Sequence, residues 1–251
     1  MRWLLALLLL ALVPGGPAEA ARVVSLNLCT DQYLLLLAPE QAAGVTVLAR
    51  DPALSALAGQ AGGVPAVRAD AESVLVLRPD LVLAAPWGAQ ASLAALERRG
   101  VRVERLRPPA DFPAIRAETR RLAGVLGVAG RGEAAVAAMD AVLAGLPVRV
   151  ARPALALQPR GWTAGDGSLL VAVMRAAGLE DTGTGQRLGL EGLAARPPGL
   201  LVTAEAPLMP SLATDMLWHP VLAGIERRTV PPALVICGGP WSAEAARLLA
   251  R

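Results

Sequence analysis

The 251-residue chain has little of what most enzymes work with. It carries one histidine (His219), one tyrosine (Tyr33), one phenylalanine (Phe112) and two cysteines (Cys29 and Cys237). Lysine is absent, so all 24 basic side chains are arginine. A hydrolytic triad would have to use His219, which stands in the apolar stretch Met216-Leu217-Trp218-His219-Pro220 and reads more simply as a structural residue at a helix end. There is no Gly-x-Ser-x-Gly elbow, no Walker loop and no Gly-x-Gly-x-x-Gly fingerprint. The same scarcity argues against capture of bare zinc or manganese, which needs several His, Asp or Glu ligands. No catalytic residue, resident metal or cofactor is expected. The net charge is only +3, and the arginines alternate with acids without interleaved aromatics, so nucleic acid is not the expected partner.

What is present begins with an export signal. Met1 and Arg2 precede an apolar run from Trp3 to Val13, then Pro14-Gly15-Gly16-Pro17 and the small-x-small triplet Ala18-Glu19-Ala20. This order predicts a signal peptide over 1–20 and a soluble mature chain in the periplasm. The run is short for a membrane anchor, and no later stretch reaches the roughly 18 apolar residues of a second span. Hydrophobic residues make up 54% of the chain, ample for a core without stapling.

From Arg22 the sequence alternates between short β-rich runs and helical patterns. Arg22–Leu26, Val45–Leu48, Leu81–Ala85 and Val101–Leu106 read as strands, and Gln90–Arg98 as a helix ended by Gly100. Between Asp111 and Leu146 the pattern is helical only. Alternation resumes with strands at Ala154–Gln158, Leu200–Thr203 and Leu234–Ile236, and helices at Leu169–Ala177, Met216–Ala223 and Ala243–Leu249. The two α/β parts echo each other: Glu72, Pro79 and Leu81-Val82-Leu83 recur as Glu191, Pro198 and Leu200-Leu201-Val202. A helix stopped by proline before a buried strand explains each copy locally; taken as a repeat, the copies predict two α/β lobes of like construction joined by a helix.

In parallel α/β sheets ligands gather at the carboxyl ends of the strands. Three such ends are followed by tryptophan in Gly/Pro-rich loops: Pro86-Trp87-Gly88, Pro159-Arg160-Gly161-Trp162 and Cys237-Gly238-Gly239-Pro240-Trp241. Each alone is as readily a loop-packing residue, but three from both lobes favour stacking on a large planar or greasy ligand. Trp218 lies in an apolar helical segment and is assigned to packing. Arg50 and Arg160 share the strand-end loops and could pair with an anionic ligand group; a solvated loop arginine is the plain alternative.

The segments Arg22–Asn27, Asp31-Gln32, Glu72 and Leu77-Arg78-Pro79-Asp80-Leu81-Val82-Leu83 resemble the periplasmic binding proteins for cobalamin and ferric siderophores, the helical-backbone class that serves ABC importers. The resemblance covers essentially the whole mature chain. It implies an N-terminal lobe over 21–128, a single long connecting helix within 129–147, a C-terminal lobe over 148–251, both lobes Rossmann-like, and a ligand cleft between them. It also implies a monomer that docks onto an inner-membrane permease through one acidic residue per lobe. An alignment by eye puts Gln90 and Glu244 at these docking positions, with glutamine where glutamate is usual. Trp87 and Trp241 look similar in position to aromatics that hold a corrin, and Trp162 lies in the loop that supplies another. Cobalamin or another corrinoid is therefore the leading ligand, a ferric siderophore or haem the alternative, and an exported α/β enzyme the reading from a different class.

The cysteines pull two ways. A pair in an exported chain is by default a disulfide. Cys29 follows the first strand and Cys237 a late one in the other lobe, so a bond, which needs Cα atoms within about 7 Å, would hold the cleft nearly shut. The reading adopted is two unpaired thiols beside the ligand, with a disulfide or a shared contact to a soft metal as alternatives.

Overall fold

The structure is a computed structural model that describes residues 21–205 and 211–251. The expected signal peptide, 1–20, lies outside the described residues. Among those described, no helix is long and apolar enough to cross a membrane.

Strands β1 (Val23–Ser25), β2 (Ala42–Gly44), β3 (Leu81–Ala84) and β4 (Arg102–Arg105) form one sheet in the order β2-β1-β3-β4, with all pairings parallel. Strands β5 (Arg152–Ala156), β6 (Leu179–Asp181), β7 (Leu200–Ala204) and β8 (Glu226–Val230) form a second parallel sheet in the order β6-β5-β7-β8. The two orders are the same topology used twice. The sequence echo is thus structural: α2 (Ala71–Val76) leads into β3 as α7 (Leu190–Ala195) leads into β7. Parallel strands are buried on both faces, and β3 is apolar and buried throughout, while β7 is buried up to the half-buried Ala204 and apolar but for Thr203.

Polar caps set where the helices begin. The Asn27 side chain accepts from the Cys29 N–H at the start of α1 (Leu28–Leu37), and Asp70 accepts from Ser73 at the start of α2. Asp111 does the same for Ala114 in α4 (Phe112–Val125), where Pro113 fits the first turn. Helix α3 (Gln90–Arg98) runs as the sequence predicts.

Two helices carry the chain between the sheets. In α4, Phe112 and Ile115 join the core of the second sheet, while Leu122 and Ala123 join the core of the first. Helix α5 (Ala129–Ala144) returns the other way, with Ala135 on the first core and Met139, Val142 and Leu143 on the second. At 1.5 Å per residue its 16 residues span about 24 Å. The pair packs tightly because residue 132 is glycine: a Cβ there would lie 2.5 Å from that of Ala123. Helix α5 thus begins at Ala129 and runs through Gly130 and Gly132.

Four assignments change. The expected strand Val45–Leu48 is a single bridge, Val45 to Ala66, followed by a 3-10 turn over Val47–Arg50, and β2 lies earlier. The expected helix Met216–Ala223 is two 3-10 turns, Asp215–Trp218 and Pro220–Leu222, because Pro220 cannot continue a helix. The expected strand Leu234–Ile236 is a 3-10 turn over Pro232–Leu234, and the last strand is the charged run Glu226–Val230.

The fourth concerns the cysteines, which are not free. Cys29 and Cys237 form a disulfide with Cα atoms 5.2 Å apart. Cys237 is not at a strand mouth but in the segment that leads from the second lobe to α8 (Ser242–Leu249), and α1 and α8 both pack on α5. The bond ties the start of α1, just after β1, to the segment that precedes α8 and so links the two lobes. The same segment makes two more contacts with the first lobe. Trp241 packs on Tyr33 with ring centroids 5.4 Å apart, and Gly238 lies so close to the Pro109 carbonyl that a Cβ would come within 2.4 Å.

Candidate functional site

Since every strand is parallel, the loops after β1, β2 and β3 leave one edge of the first sheet, and those after β5, β7 and β8 leave the corresponding edge of the second. Large apolar side chains are left exposed in these loops. Trp87, after β3, is 58% exposed, and Trp162, after β5, is 50% exposed; Val47 and Leu48 follow β2, and Ile236 stands next to the disulfide. Half-exposed tryptophans concentrated at strand ends are poor core residues and good stacking faces.

The two tryptophan loops are built alike. Trp87 is followed by Gly88 (φ +73°) and Ala89 (φ +49°), and Trp162 is preceded by Arg160 (φ +60°) and Gly161 (φ +80°). A non-glycine residue in the left-handed region costs free energy and is held there by its surroundings. Gly161 has no alternative, because a Cβ would meet the Leu188 carbonyl at 2.5 Å. Around Arg160, the backbone N–H donates to Ala213 O (2.7 Å) and the carbonyl accepts from the Arg187 guanidinium (2.8 Å). The Gln90 side-chain amide donates to Pro86 O (3.3 Å) and Gly88 O (3.0 Å), which ties the first loop from within.

The other sequence-derived positions divide. Arg50 is exposed and donates to Val64 O (2.6 Å); Arg160 is exposed; neither is ion-paired among the described residues. Trp241 is half-buried against the first core, and its indole N–H donates to Cys237 O (2.9 Å), so its visible work is to join the lobes. The bond removes the thiols of Cys29 and Cys237 as ligands for a metal. Glu244 lies in α8, paired with Arg247. Trp218 is not packed inside: it is 48% exposed, with the Arg227 guanidinium 4.4 Å above its ring. The His219 Nδ1 accepts from the Val221 N–H (3.2 Å) and caps the following turn.

The structure adds two features. Asp31, fully buried in the first turn of α1, accepts from the Thr46 N–H (3.2 Å) and hydroxyl (2.5 Å) and so fixes the start of the turn that bears Val47 and Leu48. Burial pushes its pKa up to about 6 against the pull of these hydrogen bonds. In sequence Asp31 is marked only by the resemblance, and its role in this turn is visible only from its burial and hydrogen bonds. Glu72 and Glu191 are the second feature. Each is exposed, second in its short helix, and related by the internal repeat. Among the described residues there is no group of three or more His, Cys, Asp or Glu able to hold a metal ion.

Neither protein-family profiles nor curated proteins match this sequence. Solved structures do match. The chain is 26% identical to a periplasmic haem-binding protein from Pseudomonas aeruginosa, over 92% of this chain and 91% of that one, with a TM-score of 0.69. The periplasmic haem-binding protein RhuT from Roseiflexus sp. RS-1 is 22% identical, over 92% and 98%, with a TM-score of 0.71. The periplasmic haem-binding protein HutB of Vibrio cholerae is 16% identical, over 92% and 98%, with a TM-score of 0.73. The resemblance read from the sequence, to helical-backbone binding proteins of ABC importers, is thus met in the structure, as are the two α/β lobes joined by a helix. The similar proteins are binders, not enzymes.

Proposed function

We propose that this chain is the periplasmic solute-binding component of an ABC importer and that its cleft takes a flat metal chelate, haem first of all. The observation that carries this is the pairing of Trp87 and Trp162, one per lobe, each half-exposed on a left-handed loop at the carboxyl end of a strand. Such loops offer rigid aromatic faces at low entropic cost. Exposed Val47, Leu48 and Ile236 supply apolar margin, and Arg50 and Arg160 are available to ligand carboxylates. Haem has the ring, the apolar rim and the carboxylates, and the similar structures named above bind it. Removal of a signal peptide over 1–20 would deliver the chain to the periplasm, where the disulfide is stable. The lobes would divide at 21–128 and 148–251 around the connecting segment 129–147.

Cobalamin is the second reading, and one observation favours it. Tyr33 is buried, His219 caps a turn and both cysteines are bonded. Among the described residues these groups are not free to ligate iron, which suits a chelate whose metal arrives fully coordinated. A titration decides. Haem and cyanocobalamin are added separately to the mature protein while tryptophan fluorescence and the Soret or corrin band are followed. Saturable one-to-one quenching by haem, reduced about tenfold or more in affinity by Trp87→Ala or Trp162→Ala, supports the first reading. Saturation by cyanocobalamin alone replaces it with the second, and no binding of either rejects both.

For docking to the permease, the class resemblance calls for one acid per lobe. Gln90 is occupied within its own loop, and Glu244 is paired on a helix that is otherwise largely buried. Glu72 and Glu191, exposed at repeat-related positions, fit the requirement better. Reversing either charge should impair uptake and leave ligand affinity intact.

A further inference from the structure

In the second lobe, the tryptophan assigned to the ligand and the carboxylate assigned to docking are two ends of one hydrogen-bonded unit. Segment 186–191 runs from the Trp162 loop to Glu191. At the loop end the Thr163 N–H donates to Gln186 O (3.0 Å), the Leu188 N–H to Gly161 O (2.8 Å) and the Arg187 Nε–H to Arg160 O (2.8 Å). Trp162 and Arg187 pair as an isolated antiparallel bridge. Three residues beyond Leu188 stands Glu191, whose Oε2 lies over Gly189, 2.8 Å from where a Cβ would be. An open pocket of about 560 Å³ adjoins this carboxylate, lined by Leu188, Gly189 and Glu191 on the segment and by Asp215, Met216 and His219 around the turn Asp215–Trp218. Glu191 and Asp215 are exposed, and neither is ion-paired among the described residues. The Arg187 guanidinium, also in the lining, is held to the ligand loop by its Nε–H. The wall itself touches that loop: a Cβ on Gly161 would meet the Leu188 carbonyl at 2.5 Å and the Met216 Sδ at 2.8 Å.

The geometry points to this pocket as the seat of a basic side chain of the permease, coupled to the ligand site because Leu188 and Met216 join its wall to the Trp162 loop. The inference rests on the docking role proposed for Glu191 and adds to it both the chemistry of the partner group and a link to the ligand. Apolar Leu188 and Met216 suit the stem of a long cation, and exposed Glu191 and Asp215 suit its head. A chelate stacked on Trp162 immobilises the loop and, through Gly161, the residues that wall the pocket. The seat is then ordered before the cation arrives, so the two bind with positive cooperativity and each tightens the other by the same factor.

Ethylguanidinium tests this, with neutral ethylurea of like shape as its control, on the mature protein at fixed ionic strength. In protein labelled with 13C at the methionine methyls, the Met216 signal, assigned by its loss in Met216→Ala, should shift saturably with ethylguanidinium at about 10–100 mM and bind ethylurea about fivefold more weakly. Glu191→Gln should weaken the cation about two- to fivefold and leave ethylurea unchanged. Saturating ethylguanidinium should lower the dissociation constant of haem or cyanocobalamin, whichever the titration shows to bind, by about fivefold, the low end of measured couplings; ethylurea should not. Met216→Ala should abolish that effect; if it misfolds by circular dichroism, Met216→Val, which also lacks the Sδ–Cε reach, takes its place. Absence of a saturable shift, or equal binding of the two probes, overturns the cation seat. A chelate constant that ethylguanidinium leaves unchanged or raises overturns the link to the ligand, as does an effect that survives the loss of Met216. None of these touches docking at Glu191 if Glu191→Arg still impairs uptake, whereas undiminished uptake in that variant rejects the docking role whatever the probes do. Absence of chelate binding in the titration rejects the proposed function itself.

Discussion

Replacing Cys29 and Cys237 together by alanine should cost this protein several kcal/mol of stability and little of its ligand affinity. The bond closes a loop of 208 residues. In the chain-entropy treatment a loop of that length removes about 5 kcal/mol of unfolded-state freedom at 25 °C, and measured losses for native disulfides run from about 2 to 5. Alanine is the right replacement because Cys237 is 1% exposed and serine would bury an unpaired hydroxyl. Urea unfolding of the oxidised protein, the reduced protein and the double variant gives the measurement. The last two should agree with each other and lie about 3–5 kcal/mol below the first, with a melting temperature lower by roughly 10 °C. Position decides the effect on the ligand. Trp241 packs on Tyr33 independently of the bond, so the lobes keep a contact without it. Affinity should change by less than about tenfold. A stability loss below about 1 kcal/mol would refute the loop-closure reasoning. Ligand binding that appears only after reduction would refute the independence of binding from the bond and show that it clamps the cleft.

Asp31 gives a pH test with a definite sign. Its folded pKa of about 6 lies above the ordinary 3.8, so the native state binds the extra proton and the group's contribution to stability is lost as pH rises through 6. The cost at pH 7 is about 3 kcal/mol, and Asp31→Asn should gain relative to wild type at pH 7 and lose that advantage by pH 4 in urea titrations; an advantage that does not depend on pH would count against it. Gly132→Val should force α4 and α5 apart and destabilise by about 1–3 kcal/mol, and a variant as stable as wild type would mean that the helix pair adjusts freely. Glu72→Arg and Glu191→Arg should each reduce permease-dependent uptake, more so at low salt, with chelate titrations unchanged; undiminished uptake in both removes the docking assignment.

The sequence was legible where one physical signal dominated. The runs at β3 and β7 are apolar but for Thr203 because helices cover both faces of a parallel strand, and the proline-punctuated repeat around Glu72 and Glu191 pointed to two equivalent sheets. It was not legible where the strand was polar or very short. In β8, Glu226-Arg227-Arg228-Thr229-Val230 alternates poorly, because its arginines reach outward to cover other groups: Arg227 lies over Trp218, and Arg228 donates to Leu249 O (2.5 Å). Strand β2, Ala42-Ala43-Gly44, has no side chain large enough to register in a hydrophobic pattern.

The missed strand had a consequence beyond bookkeeping of elements. With β8 placed too late, Cys237 fell on a strand mouth and a bond to Cys29 looked incompatible with an open cleft. With β8 ending at Val230, eleven residues separate it from α8, the length from 231 to 241. That segment is long enough to leave the second sheet, cross to Pro109, Cys29 and Tyr33 of the first lobe, and return. The lobes are thus joined by the peptide chain through α4 and α5 and by a disulfide bridge, so two covalent tethers restrain one lobe against the other. On the proposed function, a second tether favours Trp87 and Trp162 keeping their relative orientation as a ligand enters. A flat ligand demands that of its two stacking faces.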